Sequence, residues 1–384
     1  NNQQKADAGC PVKEGDNDRL AAIRALSAAF ADNKNDKQME AIGCSRKAAE
    51  LFARSGNLPG ELLARFEAIY ALQRKLNNAA CLEQVEKLWP RAAATPYHWL
   101  QGQVALEKAM CATREFKNTP AHEGLNASRR QAQDYDFPEL KQRIVGAEAG
   151  FDRLNHHYQE AWRTASAGLT QCWEEQCSFE RYYQFYAVMR LIAADSGDLY
   201  ASEEYLRRSI DIFETMAPED LSLKAVLHTS LANLMSELGE EAAAETETKR
   251  ARALIAAMQG DKPADPAYVE VPAIELADLE LRRSQPGLAL STLQPIGDTP
   301  QTEDKFSRLD FYRVRGGAKL QLARFDEASR EYQQGLDVAQ EFFKGSTDEA
   351  TRLRWVVATN RIYAGFVQIL LAKGQPEKAL SVWE

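Results

Sequence analysis

Long apolar runs, clustered basic charge, glycine-rich loops and paired metal-ligand spacings are all missing from this sequence, and each absence removes a class of function. No segment approaches the ~18 consecutive apolar residues of a membrane span; the longest candidate, 365–372 (GFVQILLA), is short and broken by Gln368. Nucleic-acid binders gather basic residues on one face to neutralise phosphates. Here 47 Lys and Arg are interleaved with 56 Asp and Glu, for a net charge of −9. That pattern describes a solvated helical surface and argues against a nucleic-acid or membrane partner. No Cys-x-x-Cys pair exists, and His156 and His157 are adjacent rather than four apart, so no metal is expected. A nucleophile elbow and a phosphate-cradling loop are equally missing, since the RGG at 315–317 lies inside a helical stretch. The expectation is a chain with no catalytic residues and no cofactor. The sequence also opens without Met, a basic n-region or an apolar h-region, and closes at Trp383-Glu384 within a helical pattern. Both ends read as those of a fragment or excised domain.

Ala and Leu dominate the apolar content, Val and Ile are sparse, and Glu, Arg, Gln and Lys fill much of the rest. These residues lose little side-chain entropy in a helix, so composition alone points to an all-α fold. No convincing strand pattern appears. The clearest unit is 309–340, LDFYRVRGGAKLQLARFDEASREYQQGLDVAQ, with two apolar stripes at helical spacing around a turn near Arg324. Gly316 stands where two helices would cross closely, Ala328 opens the second helix, and Tyr332 and Gly335 follow it.

That signature resembles the tetratricopeptide family. It can be traced through opening alanines at 121, 161, 201, 244, 289, 328 and 379, with steps of 39 to 51 residues. The family period is 34, so these units are longer. The resemblance implies a right-handed superhelical solenoid of antiparallel helix pairs with repeats of about 40 residues. The long step before Ala379 is assigned to Phe342–Asp348, which carries a glycine stop and a Ser/Thr/Asp start signal. Upstream of residue 110 the register blurs, although four amphipathic helices are predicted from Arg19 to Ala94. The expected organisation is a loop or disordered segment at 1–17, degenerate repeats at 18–110, and tetratricopeptide-like repeats at 111–384 with the last one truncated. Gln259 to Pro272, with three prolines, reads as an inter-repeat linker.

In such a stack the first helices line a concave face. Carrying the family's groove positions onto this sequence implies a partner-binding surface of Arg143, Arg153, Tyr183, Tyr186, Arg190, Asn233, Ser236, Asp278, Arg313, Arg361 and Gln368. Arg forks carboxylates and Tyr supplies rigid amphipathic area, so the expected partner is a protein or peptide. Packing between helices is the competing role for Tyr183 and Tyr186, and simple solvation for Arg190 and Arg313.

The six cysteines admit two readings: small buried thiols, or cross-links in an exported protein. Cys81 and Cys111 are 30 apart, near the start of one predicted helix and the end of the next but one. Cys172 and Cys177 flank a short polar turn. These four are the candidates for pairing, and secretion or a periplasmic home is favoured over the cytoplasm. The stretches 96–111, 181–198 and 374–384 further resemble the helical arrays that precede the caspase-like peptidase domain of bacterial CHAT proteins. That resemblance implies a docking or sensing arm with a C-terminal effector domain in the same polypeptide. The alternative is the ligand-responsive regulatory solenoid of a transcription activator.

Overall fold

The computed structural model describes residues 10–11, 17–35, 37–258, 266–344 and 349–383. Among them lie eighteen α-helices, one short 3-10 turn and no strand. The helices divide into two compact units, residues 1–205 and 206–384. The first unit holds α1 (Asp18–Lys34), α2 (Gln38–Arg54), α3 (Leu58–Arg74), α4 (Asn78–Ala93), α5 (His98–Arg114), α6 (Asn118–Asp134), α7 (Pro138–Leu154), α8 (Tyr158–Glu175) and α9 (Phe179–Asp195). Helix α10 (Leu199–Met216) opens in the first unit and closes in the second. The second continues with α11 (Leu221–Glu237), α12 (Glu241–Met258), α13 (Pro266–Arg282), α14 (Pro286–Leu293), α15 (Lys305–Gln321), α16 (Phe325–Lys344), α17 (Glu349–Ala372) and α18 (Pro376–Trp383).

Odd-numbered helices are the first members of each pair and even-numbered helices the second. One buried small position marks this register. Residues 41, 81, 121, 161, 202, 244, 289, 328 and 379 each donate a backbone N–H to the carbonyl four residues back, at the opening of the second helix. All nine are at most 3 % exposed, because only a small side chain fits where the second helix meets its neighbours. Six of the seven alanines read from the sequence occupy this position. The seventh does not: Ser202, not Ala201, is its buried counterpart, and Ala201 is half-buried. Upstream, Cys81 and Ala41 continue the same position, and α1, α3, α5 and α7 start at residues 18, 58, 98 and 138. The blurred register thus resolves into a regular 40-residue step in which a cysteine replaces one alanine.

Two other expectations change. Helix α13 begins at Pro266, so the linker reading fails for 266–272; residues 259–265 lie outside the described residues. Pro266 sits in the first turn, where a missing N–H costs nothing. The long step before Ala379 also draws on helix length, since α16 has 20 residues and α17 has 24; α16 runs through Phe342 to Lys344, and residues 345–348 of the assigned break lie outside the described residues. Of the N-terminal segment, only Cys10, Pro11 and Asn17 fall within the described residues.

Among the described residues, eight of the nine pairs close through the same turn. Leu76, Phe116, His156, Gly197, Gly239, Ser284, Ala323 and Gly374 adopt positive φ between 56° and 81°. The following residue donates back to a carbonyl five residues earlier, as Asn77 does to Leu72 and Glu240 to Met235. This is a left-handed C-cap, which satisfies helix-end carbonyls and reverses the chain in three residues.

All six cysteines are joined, as Cys10–Cys44, Cys81–Cys111 and Cys172–Cys177. Cys81 near the start of α4 meets Cys111 near the end of α5, the very next helix. Cys172–Cys177 closes the turn after α8, where Gln176 takes positive φ. No helix is long and apolar enough to cross a membrane among the described residues.

Candidate binding face on the first helices

In the first unit, polar side chains that would be expected at the surface instead meet between consecutive first helices. Asn33 of α1 donates to Glu67 Oε2 of α3 at 2.9 Å. Arg143 of α7 donates to Glu107 of α5 at 2.6 Å, also to Gln103, and lies over the Tyr70 ring at 5.7 Å. Arg181 of α9 donates to Gln184 on its own helix. Gly146 lies opposite: a Cβ there would stand 2.3 Å from the Gln184 side chain, so the glycine is what admits this amide.

The electrostatics follow from this burial. Glu107 is completely buried, and desolvation raises its carboxyl above the ordinary range against the pull of Arg143. Desolvation also pushes Glu67 up to about 7, with the Asn33 hydrogen bond opposing and Glu107 adding to the rise. Arg181 is lowered, first by burial and then by repulsion from Arg143. Arg153, further along α7, pairs with Asp195 at 2.9 Å.

The second unit carries a comparable ladder. Arg313 of α15 pairs with Asp278 of α13 and Asp310 at 2.8 Å each. Burial works against the Arg313 charge, but Asp310 and Asp278 more than restore it and hold the guanidinium above its ordinary range. Arg282 bridges from Asp278 at 3.1 Å to Asn233 of α11 at 2.9 Å. Ser236 donates to Glu241 at 3.0 Å across the turn into α12.

The residues singled out in the sequence are therefore distributed unevenly. Asn233, Asp278 and Arg313 come together in one network, while Arg143 and Arg153 anchor pairs between neighbouring repeats. Arg361 and Gln368 lie exposed on α17. Tyr186 packs into the core of the first unit, with its ring 6.2 Å from Tyr205. Tyr183 and Arg190 are half-buried. Helix α9 starts 41 residues after α7, one beyond the 40-residue step, and one residue turns a helical side chain by about 100°, so Gln184 rather than Tyr183 stands opposite α7 at Gly146. Glu67, Glu107 and Arg181 were missed, because a charged residue on an amphipathic helix reads as solvent-facing.

No protein-family profile matches the sequence, and no curated protein matches it. The likeness lies in the fold. A Rap protein solved in complex with Competence and Sporulation Factor superposes with a TM-score of 0.61 at 12% identity, covering 89% of this chain and 92% of that one. The human IFIT1 dimer with m7Gppp-AAAA gives 0.53 at 12% identity, covering 100% and 92%. The apo form of RapI gives 0.50 at 13%, covering 92% and 99%. The chain has a tetratricopeptide-like helical-repeat fold.

Proposed function

We propose that this chain is a non-catalytic scaffold that binds a peptide or protein segment on the first-helix face. The observation that carries the reading is the way guanidiniums on that face are held in place by carboxylates, Arg143 by Glu107 and Arg313 by Asp278. A planar donor fixed by a neighbouring carboxylate loses little freedom when it engages a polypeptide. The fold agrees with this, since the Rap protein was solved with its factor bound. Resemblance to the arrays beside caspase-like domains would make the chain a docking or sensing arm for such an effector. A ligand-controlled transcription regulator would instead change its assembly state when a small molecule binds. Three disulfides and no free cysteine favour an oxidising compartment.

A peptide-array survey with the whole chain tests the proposal. Peptides taken by the first unit should lose binding in the Arg153→Ala variant, those taken by the second should lose it in Arg313→Ala, and both should keep it in Lys87→Ala, which alters an exposed second helix. Peptides that bind all three variants equally would sink the assignment of the face.

A further inference from the structure

A second feature of the first unit lies between the second helices α2 and α4, with α3 as its floor. It is a hollow of about 240 Å3. Its floor is apolar, made by Ala68, Ile69 and Leu72 of α3 and Leu88 of α4. Four cations line it: Arg46 of α2, Arg65 of α3, and Lys87 and Arg91 of α4, with Glu50 the only acid among the lining residues. The residues from α3 belong to a different face of that helix from Glu67 and Tyr70, so this hollow is separate from the candidate binding face.

The cations are not equivalent. Glu61, only 9 % exposed at its side chain, accepts two bonds from Arg91 at 2.6 and 2.8 Å and one from Arg65 Nε at 2.9 Å. Arg91, the largest influence, and then Arg65 hold the Glu61 carboxyl below its ordinary range against desolvation. One buried carboxylate thereby fixes two guanidiniums. The terminal nitrogens of Arg65 make no other hydrogen bond among the described residues. Arg46 is exposed and makes neither a hydrogen bond nor an ion pair there. Lys87, by contrast, is paired with Glu83 of its own helix, which is not among the lining residues.

From this we infer that the hollow binds a small organic anion, with its oxyanion head on Arg46 and Arg65 and its apolar body on the floor. The head is a carboxylate or a phosphate monoester, since both match the spare donors of a guanidinium. The volume falls just below the usual range of ligand clefts, which suits a compact aliphatic or aromatic body rather than a full lipid.

Isothermal titration of the intact, oxidised chain with octanoate, octyl phosphate and octylammonium, each below micelle formation, tests this directly. Saturable binding of at least one octyl anion is expected, with no binding of octylammonium. Arg46→Gln and Arg65→Gln should each weaken the anion by about tenfold, the loss of one charge-assisted contact. Arg46 holds no internal partner among the described residues, so its replacement should leave folding intact. Binding of octyl phosphate alone would assign the phosphate head, and binding of octanoate alone the carboxylate. The inference is overturned if neither anion binds, if octylammonium binds equally, or if both variants bind like the parent. None of these outcomes bears on peptide capture by the other face.

Discussion

Glu67 shows most directly how burial and charge compete. Its carboxyl titrates near 7 in the folded chain against a reference of 4.5, because desolvation outweighs the Asn33 hydrogen bond. Below about 4.5 it is protonated in both states. As pH rises from there through about 7, the unfolded chain releases its proton first, so folded stability falls. Glu67→Gln keeps an acceptor for Asn33 and removes the ionisation. It should raise stability at pH 8 by about 1–3 kcal/mol and change little at pH 4, as read by denaturant unfolding at each pH. Arg143 works the other way. Truncation to Ala leaves fully buried Glu107 without its cation and should cost about 3 kcal/mol, and adding Glu107→Gln should recover part of it. A merely solvated Arg143 would show no such coupling in the double-mutant cycle. Arg143, Asp278 and Arg313 were reachable from the sequence, because a family register places them on the first helices. Glu67 and Glu107 were not, since nothing in a Glu-rich amphipathic helix marks which carboxylate its neighbours will cover.

At the scale of elements, the turns hold the regularity that the sequence hides. Eight helix pairs close on a residue with positive φ, but only Gly197, Gly239 and Gly374 among them are glycines. A search for glycine stops therefore misses Leu76, Phe116, His156, Ser284 and Ala323. A left-handed backbone costs a non-glycine residue ~1–2 kcal/mol, partly offset by glycine's greater freedom when unfolded. Exposed Ala323 gives up no packing, so Ala323→Gly should raise thermal stability by roughly 0.5–1 kcal/mol. Gly239→Ala meets no atom within 4 Å and should lower it by a similar amount through backbone strain alone. The opening position of the second helix was more legible because size constrains it: alanine in seven of nine cases, and Cys81 and Ser202 in the others. Ser202 defeated the reading at its own position because Ala201 stands next to it.

For the whole molecule, helix-forming composition and two-stripe periodicity sufficed for the fold class, because helix-pair repeats depend on local patterning. Long-range pairing was less accessible. Cys10 lies in a polar segment with no helical register, so nothing in the sequence set it opposite Cys44. The four cysteines at helix ends and turns could at least be related by distance along the chain. With all six joined, alkylation of the unreduced chain should label no cysteine, and the Cys81→Ser, Cys111→Ser pair should lose about 2–4 kcal/mol. Labelling of the native chain at Cys81 or Cys111 would contradict that pairing.

Peptide capture by the first-helix face has a direct signature in backbone protection. Hydrogen exchange on the chain with and without a peptide selected from an array tests it most directly. Added protection is expected on first helices, α5 and α7 in one unit or α13 and α15 in the other, while α6, α8 and α14 stay unchanged. Protection confined to the second helices, or none with any peptide that binds, would contradict it.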